Sequence, residues 1–337
     1  MNSPLRKILV FGGAGYLGST LSEILDSHGY EVTIYDRIRF GKAPIDDLIK
    51  GERCRLIEGD IRDAEAVARA VSEHDAVILL AALVGEPDCD RDPEKTVSIN
   101  VMGSINVLEA CRYYNIRRFI FASTDSCYGI QEGIINELNP MKPISLYGRA
   151  KVLIEDRIQT AWQEDRSKPS SLSGSPPAFG PIILRMATLY GLSRRMRFDL
   201  VLNILSWRAA TGKTISIYGG DQWRPMVHVR DAAEAYVSAL EAPPEIVLGQ
   251  VFNVGSNSQN VQIKDLGRLV AKEFPKVKTE YIEQPPDLRD YHVDFSKIER
   301  TLGWKAQLTI QEGVTEIKKA VESGRFGNEI LPQNRNA

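Results

Sequence analysis

The segment Lys7–Gly18, KILVFGGAGYLG, constrains the fold of this chain more than any other. An apolar run of strand length passes directly into a glycine-spaced turn. An amphipathic helix then begins, with Leu17, Leu21, Ile24 and Leu25 on one face. Gly12 permits the tight turn, Gly15 lets a pyrophosphate approach the backbone, and Gly18 lets the helix pack closely on the strand. The open N–H groups around Tyr16 and Leu17, at the start of the helix, complete an anion site. The spacing G-x-x-G-x-x-G, rather than G-x-G-x-x-G, points to one branch of dinucleotide-binding proteins.

The same strand–turn–helix pattern recurs downstream. Glu31–Tyr35 reads as a second strand ending at Asp36, the distance at which a carboxylate bonds an adenine ribose. A carboxylate there repels a 2′-phosphate and favours NAD over NADP, although the adjacent Arg37 is able to bind such a phosphate. A third strand, 54–59, ends at Asp60-Ile61, and Asp63 is placed to cap the next helix. A fourth, 76–80, runs into Ala81-Ala82, small residues that let a cofactor lie against the backbone. Four such units in one register predict an α/β fold, a Rossmann doubly wound parallel sheet.

Further on, Asp92-Pro93 predicts a helix start, with the helix running to about Tyr114. A fifth strand spans 118–122, a long helix runs from about Leu146 to Trp162, and a sixth strand follows at 182–186. Between them, residues 163–181 are rich in Ser, Pro and Gly and read as a loop insertion. From 187 the alternation is irregular, which predicts a smaller C-terminal α/β substrate-binding lobe. Its expected helices are 199–211, 230–241, 263–273, 295–302 and 310–323, with strands at 214–218, 251–254 and 279–282. The division expected is therefore 1–186 for the NAD-binding domain, with 225–255 returning to it. Segments 187–224 and 256–325 form the lobe, and 326–337 is expected to fray.

With 42 basic and 44 acidic residues the net charge is −2, so neither a nucleic-acid footprint nor a basic membrane surface is expected. No apolar run reaches membrane-spanning length, and the N-terminus has no signal-peptide core. Cys54, Cys89, Cys111 and Cys127, like the four histidines, lack metal-ligand spacing. They read as reduced thiols of a cytoplasmic protein that holds no metal.

In a doubly wound sheet the chemistry sits beyond the carboxyl ends of the strands. The fifth strand ends there in Ser123-Thr124-Asp125-Ser126-Cys127-Tyr128-Gly129, and the following helix opens with Tyr147-Gly148-Arg149-Ala150-Lys151. Tyr147 and Lys151, at i and i+4, share a helical face. An ammonium beside a phenol favours the phenolate and makes Tyr147 a candidate general base. Lys151 is also placed to hold ribose hydroxyls, and Thr124 or Ser123 to polarise a substrate oxygen. Cys127 reads as a packed thiol.

With these motifs in view, the chain resembles the extended short-chain dehydrogenases/reductases, specifically the nucleotide-sugar epimerase/dehydratase family. The likeness rests on GGAGYLG, Asp36, Gly59-Asp60-Ile61-Arg62-Asp63, Asn100 and its surroundings, STDSCYG, YGRAK, Arg185–Gly191, Trp223–Asp231 and Phe252–Gly255, over about residues 5–322. It implies Tyr147 as base, Lys151 as its partner, Thr124 as the third member, and Asn100 in the cofactor site. It also implies that Arg224 and Arg289 clamp the diphosphate of a nucleotide-diphosphate sugar. Base and sugar contacts are expected from Ser123, Asp125, Ser126, Arg197, Phe198, Tyr218 and Gln222.

Several reactions share this scaffold. In the family, 4,6-dehydratases place an Asp-Glu pair after the catalytic Thr; here Asp125 is present, but Ser126 stands at the Glu position. A 4-epimerase needs only hydride removal, rotation of the keto sugar and hydride return, for which Thr124, Tyr147 and Lys151 suffice. The alternatives are a keto-sugar reductase or dehydrogenase, a dehydratase, and a protein that binds NAD without catalysis. The resemblance further implies a homodimer joined through the helices at 93–114 and 146–162.

Overall fold

The computed structural model describes residues 5–167, 179–283 and 290–336. Seven parallel strands form the central sheet: β1 (Lys7–Phe11), β2 (Glu31–Asp36), β3 (Cys54–Glu58), β4 (Ala76–Leu79), β5 (Arg118–Thr124), β6 (Pro181–Met186) and β7 (Val251–Val254). Their order across the sheet is β7-β6-β5-β4-β1-β2-β3. The direction of winding reverses between β1 and β4, which opens a crevice at their carboxyl ends. Strands covered on both faces read as continuous apolar runs, and Ile8–Phe11, Ala76–Leu79 and Phe119–Phe121 are fully buried accordingly.

Two apolar clusters sit on opposite faces of the sheet, one built around Val10, Ile78 and Ile120, the other around Leu9, Val77 and Phe121. The helix Tyr16–Ser27 packs with Val229–Glu241 on the first face. The lobe has its own core of Leu202, Ile215, Leu266 and Val314. It carries a three-stranded sheet (188–190, 223–228 and 260–262) and a parallel pair, Ile215–Tyr218 with Thr279–Ile282. Strand β7 returns to the main sheet beside β6, whereas Trp223–His228 pairs in the lobe sheet.

Three expectations are corrected. The helix expected from 93 to 114 is α-helical at Pro93–Thr96, winds as a π-helix from Val97 to Gly103, and resumes as α-helix at Ser104–Tyr113. The C-terminal segment is docked rather than frayed: Trp207 Nε1 donates to Gly327 O at 3.1 Å, and Phe198 N to Asn334 O at 2.9 Å. Phe326 also stacks edge-on against Phe198, so aromatic contacts anchor a stretch that looks polar overall. Of the 163–181 insertion, the helix continues to Arg166 and Phe179 is buried, while 168–178 lie outside the described residues.

Candidate active site

The crevice at the switch point is a cavity of about 490 Å³, within the range of small-molecule sites. Gly12 takes φ +82°, a conformation that a side chain resists, and a Cβ there would lie 2.8 Å from Ala81 N. A Cβ on Gly18 would lie 2.1 Å from Gly12 O, so the helix approaches the turn as closely as glycine allows. The helix begins at Tyr16 with Gly15 as its cap and no side chain on the first N–H groups, which leaves them available to an anion. These features fit a dinucleotide diphosphate. Gly12, Gly15, Tyr16, Leu17, Gly18, Asp36, Arg37, Asp60, Ile61, Ala81 and Ala82 all line the cavity.

Asp36 is held in place by Ala14 N (3.1 Å) and Ile38 N (2.9 Å). Burial raises its pKa despite these bonds. Arg37 is turned to Asp60, with Nε 3.3 Å from Oδ2. Asp60 also binds Arg62 at 2.7 Å, and that guanidinium holds its carboxyl below the ordinary range. With Arg37 engaged there, the acidic end of β2 faces the ribose position, the arrangement that suits NAD. Asn100 does not line the cavity. Its buried amide accepts from Leu83 N at 2.7 Å and donates to Leu83 O at 2.9 Å, so it fixes the loop after β4 from within the π-helical turn.

The reactive end of the cavity is built from β5 and the helix Leu146–Arg166, which Ser145 caps by accepting from Gly148 N at 3.1 Å. Ser123, Thr124, Ser126, Tyr147 and Lys151 line it. The Thr124 hydroxyl neighbours the Tyr147 phenol and acts to lower its pKa, while itself accepting from Ser126 N at 3.2 Å. Lys151 is buried, donates to Ala122 O at 2.7 Å, and lies 5.8 Å from the centre of the Tyr147 ring. Burial pulls the Lys151 ammonium down to about 8 and pushes the Tyr147 phenol well above its ordinary value. The lowering of the phenol expected from its lysine is not found: desolvation dominates, and the groups that lower it are Arg197 and Thr124.

Behind this end lies a buried ion pair. Arg185 Nη2 meets Glu155 Oε2 at 2.7 Å, and Arg185 Nη1 donates to Tyr128 Oη at 2.9 Å. Ser123 donates to Glu155, so its hydroxyl turns away from the substrate position assigned to it. Asp125 is also corrected. The short 3₁₀ turn Asp125–Cys127, capped by Thr124, directs 124 and 126 into the cavity and buries 125 behind it. Neither Asp125 oxygen has a hydrogen-bond partner among the described residues, and burial pushes the carboxyl well above the ordinary carboxylate range. Cys127 is a fully buried thiol, and all four cysteines are free and buried.

Of the lobe candidates, only Arg197 lines the cavity, paired with Asp199 at 3.2 Å from Nε. Phe198 is buried between Trp207 and Phe326 and belongs to the lobe core. Tyr218 is half exposed outside the cavity, and Gln222 is spent on Gly220 N and Tyr218 O. Arg224 is buried, with Tyr291 beneath its guanidinium at 5.7 Å, and is itself outside the cavity wall that Tyr291 joins. Arg289 lies outside the described residues. Among the further wall residues, Phe40, Glu86, Arg195 and Asn336 carry no local signal in the sequence. Among the described residues no acidic, histidine or cysteine cluster suits a metal, and no helix is long and apolar enough to cross a membrane.

Residues 8–255 match the family described as NAD dependent epimerase/dehydratase. The chain is 30% identical over 354 aligned positions to dTDP-glucose 4,6-dehydratase 1 of Escherichia coli, covering 94% of this chain and 92% of that one. Among solved structures, the UDP-glucose 4-epimerase of Thermotoga maritima with UDP-glucose superposes with a TM-score of 0.81 at 26% identity, covering 95% of this chain and 100% of the other. The UDP-glucuronic acid 4-epimerase of Bacillus cereus, in complex with UDP-glucuronic acid and NAD, gives 0.81 at 25% identity over 94% and 99%.

Proposed function

The chain belongs to the NAD-dependent epimerase/dehydratase family, and within it we propose that it acts as a nucleotide-sugar 4-epimerase. It is an enzyme of NAD-dependent chemistry, as its relatives are. The observation that carries the finer reading is the reactive end of the cavity. Thr124, Tyr147 and Lys151 converge there, Ser126 stands where a dehydratase has its carboxylate, and Asp125 is buried behind the wall.

NAD, which the glycine turn, the open helix end and Asp36 would hold, would supply the hydride acceptor and donor for carbon 4 of the sugar. Tyr147 is the group placed to take the proton of the 4-hydroxyl and later give it back, which requires the phenol that burial raises here to ionise in the loaded site. Thr124 donates to the same oxygen, and the Lys151 ammonium favours the phenolate electrostatically. The glycine turn and the open helix end hold the diphosphate, and Asp36 the adenine ribose. The substrate is a nucleotide-diphosphate sugar, of the chemical class bound in the neighbouring structures.

Dehydration is the second reading, because Glu86 places a carboxylate in the same cavity and acts on the Tyr147 phenol through its charge. A panel of nucleotide sugars, followed by chromatography with mass spectrometry, decides between them. A product of unchanged mass and altered retention supports the epimerase; loss of one water transfers the assignment to Glu86 chemistry. A homodimer and a cytoplasmic location complete the proposal. Val97, Met102, Tyr113 and Leu153 expose apolar surface on the helical segments expected to pair, and the free thiols suit a reducing compartment.

A further inference from the structure

Arg195 has no role in the chemistry above, yet it lines the dinucleotide end of the cavity and is only 3% exposed. Its guanidinium lies over the Phe40 ring at 3.7 Å. Nη1 donates to Asn336 Oδ1 at 2.7 Å and Nη2 to Arg335 O at 2.9 Å, both neutral acceptors. Nε is buried without a hydrogen-bond partner among the described residues. A buried cation is ordinarily paired with an anion, because an unpaired one loses its hydration without return. Here the neighbouring cations Arg197 and Arg39 add to the cost: burial first, then these charges, bring Arg195 down to about 10. Asp199 and Asp36 offset this only through space, and Asp199 is itself bonded to Arg197.

The segment that holds Arg195 spans the mouth of the cavity. Asn334 O accepts from Phe198 N on the lobe side, while Asn336 Nδ2 donates to Val84 O, on the loop after β4, at 3.1 Å. Asn336 itself forms part of the cavity wall. Residues 334–336 therefore join the lobe to the Rossmann domain across the cofactor cleft and aim the guanidinium inward.

We propose that Arg195, oriented by Arg335 and Asn336, is an anion-binding residue of the cofactor site and grips the adenosine-side phosphate of the dinucleotide. Nε is the donor left over for that phosphate, and the planar fork of arginine suits a phosphate oxygen. The inference rests on the cleft being a dinucleotide site and not on which sugar is turned over, so it stands or falls separately from the epimerase reading.

The test is calorimetric titration of the purified protein with NAD, ADP-ribose, adenosine, NADP and UDP, with thermal unfolding recorded for each variant. Arg195→Leu is expected to weaken NAD and ADP-ribose by about ten- to a hundredfold while leaving adenosine within about twofold, because only the phosphate contact is lost. Asn336→Ala is expected to weaken NAD by about three- to tenfold, through loss of one orienting bond. Should the leucine variant fail to fold, Arg195→Lys is measured in its place, and an intermediate loss confined to the phosphate-bearing ligands supports the assignment. NAD affinity unchanged in a folded variant would reduce Arg195 to a structural staple and overturn the proposal. Loss confined to UDP, or to NADP, would overturn it equally by assigning the cation to another phosphate.

Discussion

Replacing Lys151 with methionine separates function from stability in this site. The side chain is 3% exposed and its ammonium has one hydrogen bond among the described residues, 2.7 Å to Ala122 O. Burial brings its pKa from 10.5 to about 8, with Cys89 and Glu155 opposing the change. Cys89 is itself pushed up to about 11, so it is a neutral thiol at pH 7, and Glu155 is already committed to Arg185. Neither relieves the cost in practice. At 1.36 kcal/mol per pKa unit the buried ammonium costs about 3 kcal/mol at pH 7. Methionine has nearly the same length and no charge; against this, the stranded Ala122 carbonyl costs about 1 kcal/mol. The variant should be more stable by about 2 kcal/mol. For 337 residues the unfolding entropy is about 0.7 kcal/mol/K, so Tm rises by about 3 °C.

The pH dependence is the diagnostic part. Because the folded pKa lies below the unfolded one, the unfolded chain binds more protons between about pH 8 and 10.5, and wild-type stability rises through that window. The advantage of Lys151→Met is thus complete below pH 8 and vanishes near pH 10. Calorimetry of cofactor-free protein at pH 7 and pH 10, with turnover measured in parallel, tests this. A variant less stable than wild type at pH 7, or a difference independent of pH, refutes the reasoning; turnover should be lost in either case.

Tyr147→Phe should keep NAD affinity and lose about a hundred- to ten-thousandfold in turnover, the usual worth of general acid–base catalysis; unchanged turnover would remove Tyr147 from the mechanism. Glu155→Ala leaves Arg185 buried without its carboxylate, and unfolding by heat should show a loss of about 3–5 kcal/mol. Gly18→Ala drives a Cβ into the Gly12 carbonyl, which carries the cofactor turn. NAD affinity measured by titration should fall at least about tenfold, the equivalent of one lost charged hydrogen bond.

What the sequence made legible is what local pattern encodes. The buried strands of the central sheet announce themselves as apolar runs, the partly exposed edge strand β3 apart, and the turn at Gly12 and the face shared by Tyr147 and Lys151 follow from spacing within a few residues. Asp125 was misplaced for a reason of the same scale. The chain after β5 enters a 3₁₀ turn, and which of three successive polar side chains faces the cavity depends on that turn and not on residue type. Asn100 was assigned to the cofactor because its neighbourhood resembles a family motif, whereas the π-helical turn directs its amide to Leu83. Phe198 is expected among the base and sugar contacts, but the partners that bury it, Trp207 and Phe326, are brought in by the fold.

The same division explains why the family is readable and the sugar is not. The back of the reactive end is rigid: the Glu155–Arg185 pair, Tyr128 and Asn253 bind one catalytic helix to β5, β6 and β7 through buried hydrogen bonds. Any substitution there strands a charge or a polar group, so this part of the site tolerates little change. The front is assembled from segments far apart in the chain, namely the loop around Glu86, residues 195–200 and Asn336. Arg195 and Asn336 are 141 residues apart and meet only because the lobe returns to the sheet. Such walls can change composition without disturbing the core, and under the proposed function those near Glu86 and Arg197, which both act on Tyr147, are where the choice of sugar is made. Under that reading substrate choice rests on tertiary contacts between loops, and sequence periodicity carries no trace of it.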